Sequence, residues 1–361
     1  EIMSIKEKII KLGEETCEPS LTISFNTHRT RPDIEQDRLV LKNLLSEAQV
    51  QTIGKFGENK CESLLQKISQ VLDGINFDQS LESMHIFVSE DTQEIVKTTW
   101  PVNQNSIYIS NKFALRALID ADSQDIEYLV LVLSQGGAVL YEAKNDSIIT
   151  EITNEGFPFP ETSYTTENNE QASDSEKKDN LVREYFNNVD KALVKICKKS
   201  DLKCVVIATE DNYSRLMQVA DVPKMYLGYA PIDYNKCQAH QIVKQSWKII
   251  QKFKSEKKDA LLTEIELAIP SGNVYTDLNE IYQAAIEGRG DILMVNQEYV
   301  QPVKMTSERT FELAEDTKAV DTNGDIVNAI SFAVIKNKGK VYFTSAQELV
   351  KYGDIVLKTR Y

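Results

Sequence analysis

The chain has 361 residues, a formal net charge of −14, and 27% charged against 42% hydrophobic residues. This composition is typical of a globular protein and excludes a disordered chain, and the length suits two or three domains. The net charge excludes a surface uniformly coated with basic residues for nucleic acid, because phosphate binding depends on Lys and Arg. A locally basic face remains compatible with it.

Cellular location is suggested by two features. No apolar run approaches the roughly 20 residues needed to cross a bilayer, and the first residues contain no apolar segment typical of a signal peptide. The odd number of cysteines and their scattered spacing indicate reduced thiols rather than disulfides or a metal site; they are Cys17, Cys61, Cys197, Cys204 and Cys237. We therefore expect a cytoplasmic protein without a membrane partner.

Residues 1–125 predict an N-terminal α/β domain. Leu21, Ile23 and Phe25 alternate with polar residues as in a half-buried strand. Asp33 stands where a helix cap is expected, before apolar residues at helical spacing. The predicted helices are 5–12, 33–51 and 58–72, and the predicted strands are 20–26, 83–88, 94–98 and 106–109.

Residues 126–232 predict a middle domain that opens with strands between Ile126 and Ile152. Leu129 to Leu133 is apolar at every position, which indicates a strand buried on both faces. The polar loop 154–180 follows, with six acidic and two basic residues between Glu161 and Asn180, a composition typical of a mobile surface loop. A helix over 181–198, a strand over 203–208 and a helix after Thr209 complete the pattern.

Residues 233–361 predict a third α/β domain. A long helix over about 238–257 opens it, and Asp277 caps a helix that ends at Gly288. The remaining predicted elements are strands over 291–295, 339–344 and 355–361 and a helix over 325–335. The alternation of helices and strands along the whole chain predicts an α/β fold.

Motifs of the common catalytic and metal sites are absent from the sequence. Gly288-Arg-Gly290 lacks the third glycine of a phosphate-binding loop and ends a helix instead of opening one. Asp321-Thr-Asn-Gly-Asp325 resembles the start of a calcium loop, but Ile326 and Phe332 stand where Gly and Glu are required. The sequence therefore predicts no catalytic residue, no metal ion and no cofactor.

The three histidines have different settings. His85 lies in an apolar strand and is predicted to pack in the core. His240, at the start of the long helix, is predicted to lie on the surface. His28 adjoins Arg29 and Arg31 in a turn that is either solvated or in contact with a phosphate group, and the sequence does not decide between the two.

Lysines recur on the long helix and near the C-terminus. Lys244, Lys248 and Lys252 follow one another at four-residue spacing. Such a stripe is usually a solvated face, but an RNA-facing helix shows the same pattern. The full set of candidate RNA-binding residues is His28, Arg29, Arg31, Lys244, Lys248, Lys252, Lys336, Lys338 and Lys340.

Four stretches carry a resemblance to a known family: Ile23 to Arg29 with Leu41 to Leu45, Tyr128 to Ser134 with Val139 to Glu142, Asp277 to Val295, and Gly339 to Ser345 with Ile355 to Tyr361. Their order and spacing resemble the bacterial archaeo-eukaryotic release factor (baeRF) family, and its third subfamily in particular. These proteins are relatives of the archaeal and eukaryotic class I release factors and of Pelota.

The resemblance implies an N-terminal α/β domain, an RNase H-like middle domain and a third domain related to kink-turn RNA-binding proteins. It also implies the ribosome or tRNA as a partner. Release factors place a Gly-Gly-Gln loop of the middle domain in the peptidyl-transferase centre, and by position that loop is 154–180. No Gly-Gly-Gln occurs there, and no glycine lies between Phe157 and Asn180. An acidic, glycine-free loop is poorly suited to approach phosphates closely.

Three functions stay open at this stage. The resemblance favours a non-enzymatic ribosome- or tRNA-associated factor in translation rescue, stress or quality control. The acidic charge favours a protein-interaction or regulatory module that kept the fold without binding ribosomes. A divergent peptidyl-tRNA hydrolase would depend on Gln171, the single glutamine of the loop. We expect no DNA partner.

Overall fold

The computed structural model describes residues 3–30, 32–160, 175–231, 239–315 and 324–361. The helices in these ranges are α1 (Ile5–Glu14), α2 (Asp33–Phe56), α3 (Glu58–Val71), α4 (Arg116–Gln124), α5 (Ser175–Ser200), α6 (Glu210–Val219), α7 (Ala239–Ala268), α8 (Leu278–Ile286) and α9 (Ile326–Lys336). The strands are β1 (Ser20–Asn26), β2 (Ser83–Val88), β3 (Gln93–Thr98), β4 (Ser106–Ser110), β5 (Glu127–Ser134), β6 (Gly137–Lys144), β7 (Ser147–Ile152), β8 (Cys204–Ile207), β9 (Tyr226–Ala230), β10 (Val274–Tyr275), β11 (Gly290–Asn296), β12 (Val303–Met305), β13 (Phe311–Leu313), β14 (Lys340–Thr344) and β15 (Ile355–Thr359).

These elements confirm the expected α/β class. The strand orders are β3-β2-β1-β4, β7-β6-β5-β8-β9 and β10-β15-β11-β14, and β12 pairs with β13 in a separate small sheet. The described chain forms two compact units, one of residues 126–260 and one that combines 1–125 with 261–361. The division into domains 1–125, 126–232 and 233–361 stays a prediction.

The unit of residues 126–260 is built around β5, which pairs antiparallel with β6 and parallel with β8. With β6 and β7 antiparallel and β8 and β9 parallel, the sheet has the strand order β7-β6-β5-β8-β9. Leu129, Leu131 and Leu133 pack in the core that contains α5. Tyr128, Val130 and Val132 pack in a second core that contains Ile242 and Ile250 of α7. The prediction that this strand is buried on both faces is confirmed.

Sheet β3-β2-β1-β4 of the other unit is also covered on both faces. Ile23 and Phe25 pack against α2 and α3, whereas Phe87 and Val96 on the opposite face join a core with α1, α4 and α9. The prediction of a half-buried β1 is therefore wrong, since its residues are buried from Ser20 to Phe25. Helix α1 covers the face that the local alternation assigned to solvent, together with α4 and α9, which lie more than 80 residues later in the chain.

Polar side chains on that second face have hydrogen-bond partners in the backbone or in one another. The Thr22 hydroxyl accepts a bond of 2.9 Å from the backbone N–H of Ala114. Ser24 Oγ lies 2.9 Å from His85 Nδ1, and Ser83 Oγ lies 3.1 Å from His85 Nε2. Burial lowers the pKa of His85 to about 4, so the ring is neutral near pH 7. The prediction that His85 is a core residue is confirmed.

Sheet β10-β15-β11-β14 lies between two further layers. Leu293 and Val295 of β11 pack toward α8 and α9. Ile292 and Met294 face the other way and contact Leu261 and Ile265 at the end of α7. The helix reaches Ala268, eleven residues beyond its predicted end, because its last turns cover this sheet.

Arg116 at the start of α4 connects residues far apart in the sequence. Its guanidinium lies 3.0 Å from the Asp325 carboxylate and also donates to the backbone carbonyls of Asn296, Gln297 and Tyr299. The ring of Phe343 lies beneath it at 5.0 Å. Asp325 in turn caps α9 by accepting from the N–H of Val327. Arg116 thus fixes α4 against both β11 and α9.

We predict that Arg116→Ala destabilises the protein by about 3–5 kcal/mol, because it leaves a buried carboxylate without its cation. Urea unfolding followed by circular dichroism measures this. Arg116→Met combined with Asp325→Asn removes both charges and should recover more than half of the loss. A loss below about 1 kcal/mol in Arg116→Ala would contradict the structural role assigned to this contact.

Candidate functional site

The lysine row of α7 lies on the exposed side of the helix. Ile242, Ser246 and Ile250 are buried on the opposite side. Between Lys244 and Lys252, the four exposed residues are three lysines and Gln251. Lys244 and Lys248 form no ion pair within the described chain, and Lys252 makes only a surface contact of 3.9 Å with Glu256. The three ammonium groups therefore face solvent together.

Two other lysines near α7 have a different role. Lys254 Nζ lies 5.5 Å from the centre of the Trp247 ring, and Lys203 Nζ lies 5.1 Å from that of Phe253. These contacts hold the aromatic side chains at the edge of the core through cation–π interactions. Lys254 therefore contacts the Trp247 ring and does not belong to the exposed row of Lys244, Lys248 and Lys252.

A second lysine row, which the sequence analysis did not single out, lies on α5. From Lys191 to Ser200 five residues are exposed, and four of them are lysines: Lys191, Lys195, Lys198 and Lys199. The helical spacing of the buried residues Val189, Leu193 and Ile196 already defines the opposite face. The signal was therefore present in the sequence as the complement of the apolar face.

The C-terminal lysines lie in the unit of residues 1–125 and 261–361. Lys336, Lys338 and Lys340 are all exposed around the turn between α9 and β14. Lys336 pairs with Glu14 at 3.1 Å. Arg360 adds a cation to this turn, since its guanidinium donates to the carbonyl of Asn337 at 2.6 Å. The predicted basic spot is therefore larger than expected, but one of its lysines is partly neutralised.

The basic turn before α2 is bound to carboxylates. His28 Nδ1 lies 2.7 Å from Asp37 Oδ1, and the backbone N–H of His28 donates to Asp37 Oδ2 at 2.7 Å. Arg29 Nε lies 2.9 Å from Glu82. Arg31 lies outside the described residues. The hydrogen bond that the imidazole donates to the Asp37 carboxylate raises the pKa of His28, whose side chain stays about half exposed (52%). The turn is thus neither simply solvated nor a free cluster of three cations.

The glycine pair at the turn between β5 and β6 is fixed by local contacts. The backbone N–H of Gly136 donates to Ser134 Oγ at 3.0 Å, and the Gln135 amide lies 3.3 Å from that of Asn212 on α6. Residues 161–174, which include Gln171, lie outside the described part of the chain, as does the side chain of His240. Their predicted roles stay predictions.

A cavity of about 1090 Å³ lies in the unit of residues 1–125 and 261–361. Arg116 and Asp325 in its wall bind each other, and Lys55 donates to the carbonyl of Ile109 at 3.2 Å. Burial raises the pKa of Tyr108 to about 12, so its phenol stays protonated near pH 7. Its lining contains no histidine or cysteine. The cavity therefore offers polar and charged contacts for a ligand.

Within the ranges that the structure covers, no three His, Cys, Asp or Glu side chains converge to hold an ion. No helix in those ranges is long and apolar enough to cross a membrane.

The His28–Asp37 contact gives a pH-dependent prediction. We expect an NMR titration to give His28 a pKa above 6.5, and Asp37→Asn to return it toward that value. Because the folded-state pKa is raised, the contact stabilises the protein fully below the unfolded-state pKa and loses this effect as the pH rises through the folded-state pKa. An unchanged His28 pKa in Asp37→Asn would contradict the assignment.

Several solved structures are similar to this chain at low sequence identity. The archaeal translation termination factor aRF1 matches with 12% identity, a TM-score of 0.26, and coverage of 99% of this chain and 97% of its own. Archaeoglobus fulgidus Pelota matches with 14% identity, a TM-score of 0.39 and coverage of 77% and 79%. S. cerevisiae Dom34, a translation termination-like factor, matches with 13% identity, a TM-score of 0.36 and coverage of 72% and 74%.

No protein of curated function matches the chain. Residues 127–289, somewhat less than half of the chain, match the model of the bacterial archaeo-eukaryotic release factor family 3. This stretch contains both lysine rows, on α5 and on α7. The predicted resemblance to that release factor family, and to its third subfamily, is confirmed by this match.

Proposed function

We propose that this protein is a ribosome- or tRNA-associated factor in translation rescue, stress or quality control, and that it does not hydrolyse the peptidyl ester. The observation that carries the proposal is the exposed row of Lys244, Lys248 and Lys252 on α7, within the stretch related to release factors.

The energetics of the α7 row favour an anionic partner. Like charges four residues apart on a helix destabilise it by about 0.2–0.5 kcal/mol per pair, and this row contains two such pairs. The repulsion is relieved when phosphates bind. RNA phosphates also release condensed counterions when lysines neutralise them, which makes such binding strong at low salt. The net charge of −14 gives long-range repulsion from RNA, so binding should depend on local contacts of this kind.

The absence of peptidyl-tRNA hydrolysis is proposed from the sequence of the loop 154–180. It contains no Gly-Gly-Gln, and the glycine pair 136–137 instead forms the turn between β5 and β6. In this turn the N–H of Gly136 donates to Ser134 and the Gln135 amide donates to Asn212, so both residues have partners within this unit. A factor with these features would occupy or recognise a ribosome without cleaving the ester.

We predict that replacing Lys244, Lys248 and Lys252 with Glu weakens ribosome binding by on the order of 100-fold at 100 mM salt, because about three phosphate contacts are lost. Sedimentation of the full chain with purified ribosomes through sucrose, with the pellet quantified at increasing ribosome concentration, measures the apparent Kd.

The matched control replaces Lys6, Lys42 and Lys60 with Glu. These three lysines are exposed on α1, α2 and α3 and form no ion pair in the described chain, so the net charge changes by the same amount. The control should bind as the unmodified protein does. Equal loss in both variants would mean that only net charge matters, and no loss in the α7 variant would remove that helix from the proposed interface.

A further inference from the structure

The lysine rows of α5 and α7 lie on opposite sides of one sheet. Alternate residues of β5 point into different cores, with Leu131 toward α5 and Val130 toward α7. Each helix buries one face on the sheet and exposes the other. The α5 row, which comprises Lys191, Lys195, Lys198 and Lys199, therefore points away from the α7 row.

Stabilisation of the helix end explains only part of the α5 row. Cations in the last turn interact favourably with the helix dipole, and this effect fades within that turn. Because α5 ends at Ser200, the dipole accounts for Lys198 and Lys199. Lys191 and Lys195 lie one to two turns earlier and need another explanation.

Ion pairing along the helix does not explain these lysines either. The positions four residues before and after Lys195 are Lys191 and Lys199, and the position four residues before Lys191 is Asn187. The two lysines of each pair, Lys191 with Lys195 and Lys195 with Lys199, repel each other, and this repulsion destabilises the helix. The one acidic contact in the described chain is a distant surface pair between Lys195 and Glu155, at 3.7 Å. In a chain with 55 acidic residues, a lysine face with no acidic residue three or four positions away on its own helix is an arrangement that an anionic partner would stabilise.

The chemistry of the row indicates phosphate rather than base recognition. The exposed residues from Lys191 to Ser200 include no aromatic side chain on which a base could stack. They also include no arginine, asparagine or glutamine that could form paired hydrogen bonds with a base edge. Lysine ammonium groups bind phosphate as point charges without reading sequence.

We propose that Lys191, Lys195, Lys198 and Lys199 bind the phosphate backbone of an RNA segment separate from the one that contacts α7. The middle unit would then lie between two RNA segments and connect them. The choice of RNA as the anion rests on the proposed function, but the existence of a second, independent site does not depend on binding to ribosomes.

The experiment uses the full chain and a 20-base-pair RNA duplex with a fluorescent label, titrated at 50–250 mM KCl. The α5 variant replaces Lys191, Lys195 and Lys199 with Gln, which keeps helix propensity and removes the charge. It is compared with the α7 variant and with the control at Lys6, Lys42 and Lys60. Circular dichroism and the unfolding temperature verify that each variant is folded.

We expect the unmodified protein to bind two duplexes at saturation and the α5 and α7 variants to bind one each. The three lysines removed in each variant contribute about 2–3 to the slope of log Kd against log salt at their site, at about 0.7–0.9 per lysine, so their loss should abolish binding there. The double variant should lose binding at both sites. A Lys→Glu version of the α5 variant should show the same stoichiometry with a larger effect.

Binding of one duplex by the unmodified protein, unaffected by the α5 variant, would overturn this inference and leave the proposed function intact. No duplex binding at 50 mM KCl would overturn it as well. Two-site binding that depends on α5, together with no sedimentation on ribosomes, would support this inference and overturn the proposed function.

Discussion

Burial of β5 on both faces is the constraint on which the middle of the chain depends. A strand with apolar residues at every position needs a cover on each side of the sheet, because neither face can be left to water. The first side is covered by α5 and the second by α7. Since an amphipathic helix that covers a sheet must present its other face to solvent, the two polar faces point in opposite directions. The position of both lysine rows thus follows from the composition of one strand.

Local and global electrostatics differ in this protein. The net charge of −14 describes the whole chain, whereas an RNA backbone within a Debye length of about 8–10 Å senses mainly the helix that it contacts. Seven lysines are concentrated on two helix faces, and acidic residues are concentrated elsewhere, including the loop 154–180. Such segregation allows a protein that is acidic overall to bind RNA at defined places and to be repelled by it elsewhere. This segregation would orient the protein on an RNA partner.

Local sequence patterns predicted much of the secondary structure. The strand β1 and the cap of α8 at Asp277 have the predicted positions, because alternation and capping are properties of neighbouring residues. Burial of β1 on its second face was not predictable, since α4 and α9, which cover it together with α1, come from distant parts of the chain. The elements α4, β9, β10, β12 and β13 were not predicted; of these, β10, β12 and β13 have only two or three residues, too few for a periodic pattern.

The candidate site was predictable to a similar extent. The exposed row on α7 has the expected spacing and lies on the expected side of its helix. His28 and Arg29 form contacts with Asp37 and Glu82 that could not be derived from spacing, because Glu82 lies more than 50 residues further along the chain. The α5 lysines were predictable in principle, because the spacing of the apolar residues on that helix also defines which positions face solvent.

The salt dependence of ribosome binding by the unmodified protein tests the central claim most directly. If two lysine rows bind RNA phosphates, the association constant measured by sedimentation with ribosomes should fall steeply between 50 and 300 mM KCl. The slope of its logarithm against the logarithm of the salt concentration should be about −5 to −6, as expected for seven phosphate contacts at roughly 0.7–0.9 each. A slope near zero, or no binding at the lowest salt to empty, stalled and tRNA-loaded ribosomes alike, would contradict it. The α/β fold would stand in that case, and a role in binding protein partners would then be the better account.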